Sequence, residues 1–314
     1  MESYAIVTQN LSRHFGSVHA VENLNLEVPH GVVFGFLGPN GAGKTTTIRL
    51  LLGLLAPTAG SSRVLGYDTA TRADEIRART GALLEHHGLY ERMSAEDNLE
   101  FYGRIYRMPA AQRLVRIREL LEHFGLWERR KDMVGKWSRG MKQKLAVART
   151  LLAKPALVFL DEPTAGLDPV ASVALREDLE SLAGMEGVTI FINTHNLAEA
   201  EKLCQQVGVI RAGTLLTVGS VEDLRQNSGN PSTVIIGSGF SELALADLRM
   251  NPDVMSAEVD DHRLMVEFAR PVEVAPIVSL LVSQGAQVEE VHKGQASLED
   301  VFMTLMKEEQ EVQA

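Results

Sequence analysis

Gly38-Pro39-Asn40-Gly41-Ala42-Gly43-Lys44-Thr45 has the spacing G-x-x-x-x-G-K-[ST] and stands between an apolar run and a helical pattern. Glycines at these places let backbone N–H groups wrap a phosphate chain. The Lys44 ammonium then reaches the β- and γ-phosphates, and the Thr45 hydroxyl is a ligand for Mg2+. A second group, Asp161-Glu162, closes the apolar run Leu157-Val158-Phe159-Leu160. Open parallel sheets bind ligands beyond the carboxyl ends of their strands. Asp161 is therefore expected to hold the metal, directly or through water, and Glu162 to accept a proton from an attacking water. His195 follows a third apolar run, 188–192, after Asn193 and Thr194. From that strand end it would donate a hydrogen bond to a γ-phosphate. These residue types suit transfer of a phosphoryl group to water.

Trp137-Ser138-Arg139-Gly140 poses a different question. This short polar loop feeds an amphipathic helix, and a Ser and a Gly at a helix start suit an anion because free N–H groups and the positive end of the helix dipole meet there. One chain thus carries two anion-binding loops about a hundred residues apart.

Periodicity supplies the framework. Residues 3–30 alternate as half-buried strands do, and Val32–Leu37 is a near-continuous apolar run, as in a strand covered on both faces. Thr45–Leu55 reads as a helix stopped by Pro57. Residues 94–126 read as wholly helical, opened by the capping-box-like Ser94-Ala95-Glu96-Asp97, with Leu114, Ile117, Leu120, Leu121 and Phe124 at helical spacing. Strand–turn–helix units around 157–160 and 188–192 imply a parallel sheet covered by helices. The break Gln226–Ser232 reads as a linker. Beyond it, strands at Thr233–Ile236 and Gln287–Val291, a hairpin over Ala257–Phe268 turning at Asp260-Asp261-His262, and helices at Ser241–Met250, Val274–Ser283 and Leu298–Met306 suggest a split βαβ module. The expected division is 1–225, with a helical part at about 88–150, then the linker 226–232 and a small α+β domain over 233–314.

Composition bounds the rest. The 314 residues carry 31 Lys and Arg against 41 Asp and Glu, a net charge of −10, which argues against a general nucleic-acid coat. Cys204 is the single cysteine, so neither a disulfide framework nor a thiolate zinc site is available. MESYAIVTQN has no secretory pattern, and apolar-plus-glycine runs such as Leu50–Pro57 fall far short of the roughly 20 residues that cross a bilayer.

Five stretches, in order, resemble the nucleotide-binding subunits of ATP-binding cassette (ABC) transporters: the phosphate loop, Ser138–Gln143, Asp161-Glu162, Ala165-Gly166-Leu167-Asp168 and Thr194-His195. The resemblance covers about Ser3 to Gly219. It implies a P-loop NTPase core with a mostly parallel sheet, an N-terminal antiparallel part and a helical subdomain. It also implies Mg-ATP as cofactor, with phosphate contacts from Gly38 through Thr46. Two ATPase subunits would pack head to tail, so that Ser138 and the Gly140 N–H close on the ATP held by the partner's phosphate loop. Asp168 would lie in the turn that communicates across that interface, and Phe15 where the family stacks an aromatic on adenine. Two positions depart from the family pattern. Trp137 and Arg139 stand where the usual Leu-Ser-Gly-Gly has Leu and Gly, and Glu85 stands where a Gln contacts Mg2+, making Glu85 the third metal residue beside Thr45 and Asp161.

The stretch Ala296-Ser297-Leu298-Glu299-Asp300-Val301-Phe302 resembles the appendage of bacterial drug- and polyketide-exporter ATPases, including the daunorubicin-resistance type. By resemblance, the chain is a cytoplasmic ATPase, peripheral on the inner face of the cell membrane, that powers a transmembrane permease exporting drugs, polyketides or lipid-like molecules. It would pair with a second copy or another ATPase subunit, and no nucleic acid is expected. The alternative is a soluble ABC-type ATPase acting on ribosomes or chromosomes. A single cassette, no coiled-coil insertion and no basic block stand against it.

Overall fold

Val33–Leu37, Leu157–Asp161 and Thr189–Thr194 are buried at every position. Strands so enclosed need cover on both faces, which parallel pairing with crossover helices provides. The computed structural model describes residues 4–227, 232–260, 262–270, 272–294 and 297–312. The chain forms two compact units, Met1–Ser220 and Val221–Ala314.

The first unit opens with β1 (Tyr4–Phe15), β2 (Val18–Pro29), β3 (Val33–Leu37), α1 (Lys44–Leu51), β4 (Ala59–Val64) and β5 (Tyr67–Asp68). It continues with α2 (Ala73–Arg77), β6 (Thr80–Leu83), α3 (Ala95–Ile105), α4 (Ala110–His123), α5 (Arg139–Leu151) and β7 (Leu157–Asp161). It ends with α6 (Pro169–Glu186), β8 (Thr189–Thr194), α7 (Leu197–Leu203), β9 (Gln206–Arg211) and β10 (Thr214–Ser220). One sheet has the order β10-β9-β3-β8-β7-β6, and a separate antiparallel sheet has the order β2-β1-β4-β5. In the first, β3 runs parallel to β8 and β9, and β7 parallel to β8 and β6, while β10 is antiparallel to β9. The register pairs Leu37 with Thr194 and Asp161 with Asn193. The phosphate loop, the two acids and His195 therefore leave the sheet along one edge. Behind that edge Phe34, Phe36 and Phe159 pack around Phe191, with ring centroids 5.4, 5.5 and 5.6 Å from it.

Two helical expectations need correction. Residues 94–126 are not helical throughout: two helices, Ala95–Ile105 and Ala110–His123, are separated by a non-helical stretch. Ser94 caps the first by accepting from the Asp97 N–H at 3.1 Å. The chain then turns at Arg107 (φ 55°), and Pro109, which has no N–H to continue a helix, precedes α4. Ile117, Leu120, Leu121 and Phe124 are buried as their spacing requires, but Leu114 is 61% exposed. The helix after the phosphate loop ends at Leu51, not Leu55, because Gly53 takes a left-handed φ of 63° and the Leu54 N–H turns back to the Arg49 carbonyl at 2.8 Å.

The second unit comprises α8 (Val221–Asn227), β11 (Ser232–Ser238), α9 (Glu242–Arg249), β12 (Val254–Asp260), β13 (Arg263–Phe268), α10 (Ala275–Ser283), β14 (Gln287–Gly294) and α11 (Leu298–Val312). Its antiparallel sheet has the order β12-β13-β11-β14, a split βαβ arrangement around Ile235, Leu248, Leu264, Phe268 and Leu281. Gln226 and Asn227 close α8 and Ser232 opens β11. Residues 228–231 of the expected linker lie outside the described residues, as does Asp261 of the expected hairpin turn.

Truncating the central ring of the first core tests this packing. Phe191→Ala should lower the stability of the first unit by about 3–5 kcal/mol, read from the midpoint of its urea transition.

Candidate functional site

The phosphate loop is shaped by two close approaches. A Cβ on Gly38 would lie 2.3 Å from the Ile210 carbonyl oxygen, and one on Gly43 2.2 Å from that of Ala20. Gly43 also has φ 106°, which an L side chain resists. It stands at the start of α1 and offers no side-chain cap, so the first N–H groups of that helix are free to meet an anion. Lys44 is 6% exposed; its Nζ donates to the Gly38 carbonyl at 2.6 Å and the Pro39 carbonyl at 3.2 Å. An anion entering the loop meets backbone donors and a buried ammonium together.

Asp161 ends β7 with 8% exposure. One carboxylate oxygen accepts from Thr45 Oγ1 at 2.7 Å and the other from Asn193 Nδ2 at 3.1 Å. Glu162 follows in the left-handed region (φ 49°), its N–H bonded to the Asn193 carbonyl at 2.9 Å. That conformation is costly for a non-glycine residue and marks the place where the chain turns out of the strand. The Glu162 carboxylate stands 3.5 Å from Lys44 Nζ and 2.8 Å from His195 Nδ1.

A cavity of about 260 Å3 adjoins these groups, with Thr45, Glu85, His87, Arg139, Asp161 and Glu162 in its lining. Glu85 is exposed and pairs with Arg49 Nη2 at 2.8 Å. Arg139 Nη2 donates to the Ala165 carbonyl at 2.9 Å, and its guanidinium lies against Gly166, where a Cβ would be 2.4 Å away. Burial lowers the His87 pKa, and the charges of Arg139, Lys142 and His86 act in the same direction against a hydrogen bond with Gln143 that raises it. Ser138 and Asp168 serve as helix caps, accepting from Met141 N–H at 3.3 Å and Ala171 N–H at 2.9 Å. Gly140 lets α5 approach α6, with a Cβ there 3.0 Å from that of Ala171. Phe15 is 44% exposed at the end of β1, with the Arg13 guanidinium 4.4 Å from its ring centroid.

The structure thus joins Lys44, Thr45, Asp161, Glu162 and His195 by direct contacts and brings Glu85 to the same cavity. Sequence reasoning passed over Asn193, which binds the Asp161 carboxylate and the Glu162 N–H. The signal for Asn193 was available: an amide at the end of an otherwise apolar strand needs partners wherever it is buried.

The chain matches the ABC transporter family over residues 21–165. It is 36% identical to the bacitracin transport ATP-binding protein BcrA of Bacillus licheniformis, over 97% of this chain and 98% of that protein. It is 33% identical to the daunorubicin resistance ATP-binding protein DrrA3 of Streptomyces coeruleorubidus, over 99% of each. It is 38% identical to the Nod factor export ATP-binding protein I of Cupriavidus metallidurans, over 95% of each. Among solved structures, an ATP-binding subunit of an ABC transporter superimposes with a TM-score of 0.64 at 31% identity, over 71% of this chain and 92% of that one. Relatives of this similarity along nearly the whole length, together with a phosphate loop and acidic strand end in one cleft, place the chain in the ABC transporter ATP-binding family, as an ATPase.

Proposed function

We propose that the chain binds Mg-ATP at a head-to-tail interface with a second ATPase subunit and that its hydrolysis powers a separate membrane permease, most simply an exporter of drug-, polyketide- or lipid-like molecules. The relatives named for bacitracin transport, daunorubicin resistance and Nod factor export support the export reading. No helix among the described residues is long and apolar enough to cross a membrane. The observation that carries the reading is the Glu162 carboxylate held between Lys44 and His195, one residue from the Asp161–Thr45 pair.

In this scheme the loop Gly38-Pro39-Asn40-Gly41-Ala42-Gly43 and the first turn of α1, through Thr46, bind the phosphates. Lys44 exchanges its carbonyl partners for phosphate oxygens. Thr45 and Asp161 present a hydroxyl and a carboxylate 2.7 Å apart, the all-oxygen donor set that suits Mg2+, and Glu85 adds a carboxylate from the cavity wall. Bound there, Mg2+ would neutralise charge on the phosphates. Glu162 takes the proton of the attacking water, and His195 orients that carboxylate and faces the γ-phosphate. Phe15 stacks on adenine. Ser138 and the Gly140 N–H address the partner's γ-phosphate, and Asp168 meets the partner across the interface.

Glu162→Gln should reduce turnover by about 10²–10⁴-fold while ATP binding persists. Its mass in solution should rise from monomer to dimer on adding Mg-ATP. A variant that binds ATP and stays monomeric would mean that self-pairing is wrong and a different subunit or a permease is needed. Co-sedimentation of the wild-type chain with ribosomes rather than membranes would redirect the function to the soluble alternative.

Asn193→Ala removes the second donor to Asp161. The Mg2+ concentration for half-maximal turnover should rise by roughly 10–100-fold, the usual effect of losing a partner that orients a metal ligand.

A further inference from the structure

The hairpin that opens the chain carries a cluster that phosphate chemistry does not use. His14 in β1 and His19 in β2 are cross-strand partners one pair from the turn, next to the Phe15–Val18 pair. Partners of this kind project from the same face, and here the two imidazoles stack with centroids 4.0 Å apart and planes 13° from parallel. The register shifts beside His14, at the step from the Arg13–Val21 pair, and that irregularity brings Glu22 to the same face. One Glu22 carboxylate oxygen lies 2.7 Å from His14 Nε2 and 2.8 Å from His19 Nδ1.

Two imidazole nitrogens and a carboxylate oxygen converge so that all three lie within 4.8 Å of one another. Around a tetrahedral zinc ion the ligand atoms stand ~3.3 Å apart, given bonds of about 2.0–2.1 Å. The two nitrogen–oxygen distances, 2.7 and 2.8 Å, would have to lengthen by about half an ångström to take such an ion. It is the one group of His, Cys, Asp and Glu among the described residues with this convergence. The side chains of His14, His19 and Glu22 keep 28%, 58% and 31% of their surface exposed, which leaves an entry path.

We infer that His14, His19 and Glu22 bind one divalent transition-metal ion of the zinc class, with a coordination position left to water. Two imidazoles with one carboxylate suit Zn2+, Co2+, Ni2+ or Cu2+, whereas Mg2+ and Ca2+ call for oxygen sets. The site stands on the strand that backs the phosphate loop. The Ala20 carbonyl blocks a Cβ at Gly43, and the Glu22 N–H donates to the Gly213 carbonyl at 2.9 Å while the Gly213 N–H donates to that of Ala42 at 3.0 Å. An ion here would pin the turn beside Phe15 independently of any nucleotide.

The test is titration of the full-length, chelator-treated chain with Zn2+ alone, in competition with a chromophoric chelator and without nucleotide. The wild type should take up Zn2+, and His14→Gln, His19→Gln and Glu22→Gln should each weaken one equivalent by about tenfold or more. His292→Gln, which removes the histidine paired with Glu290 in the second unit, should leave uptake unchanged. Zn2+ should also raise the melting temperature of the wild type and of His292→Gln but not of the three variants. If the three variants bind Zn2+ as tightly as the wild type, or if the wild type competes for none, the site is refuted and the cluster is a hydrogen-bonded His–Glu pair alone.

Discussion

A buried carboxylate needs hydrogen-bond donors around it, and Asp161 is the point where the structure meets that requirement. Its partners come from two other segments: Thr45 from the first turn of α1 and Asn193 from β8. One side chain therefore ties the phosphate loop to two strands of the sheet. The next residue inherits the consequence. Glu162 leaves the strand through a left-handed backbone, held by the Asn193 carbonyl, and its carboxylate meets Lys44 and His195. The Glu162 carboxylate, the Lys44 ammonium and the Asp161–Thr45 pair are thus fixed relative to one another through Asn193 and the sheet register.

The phosphate loop depends on surroundings that its own motif does not contain. Gly38 is pressed against the end of β9 and Gly43 against β2. The antiparallel hairpin is accordingly part of the wall behind the loop. Any side chain at these two glycines would push against backbone, which yields less than a flexible side chain.

The departures Trp137 and Arg139 acquire physical reasons in the fold. Trp137 is 5% exposed, a large side chain held inside the unit. Arg139 fastens the start of α5 to the stretch after the acids, through the Ala165 carbonyl and across a glycine whose φ of 70° and missing Cβ make room for the guanidinium. The loop that resembles a signature for a partner's nucleotide is therefore coupled within one chain to the turn containing Asp168. Asp168 in turn caps α6.

Local sequence determined the pieces whose chemistry is local. The phosphate loop needs glycine at fixed offsets, and a fully buried strand has to be apolar throughout. Ser94 and Asp168 cap helices because each accepts from an N–H only three residues further along the chain. Those rules alone bring the phosphate loop, Asp161, Glu162 and His195 to the carboxyl ends of strands. The tertiary structure decided everything that rests on long-range contact. The stretch 94–126, expected to be wholly helical, is interrupted at Arg107–Pro109, and Glu85 pairs with Arg49 from α1. Asn193 is bound to the acid of a neighbouring strand, and His14, His19 and Glu22 share a face only because the hairpin register shifts beside them. Spacing along a chain fixes a residue's face and its nearest neighbours, whereas register between strands is set by the packing of the whole sheet.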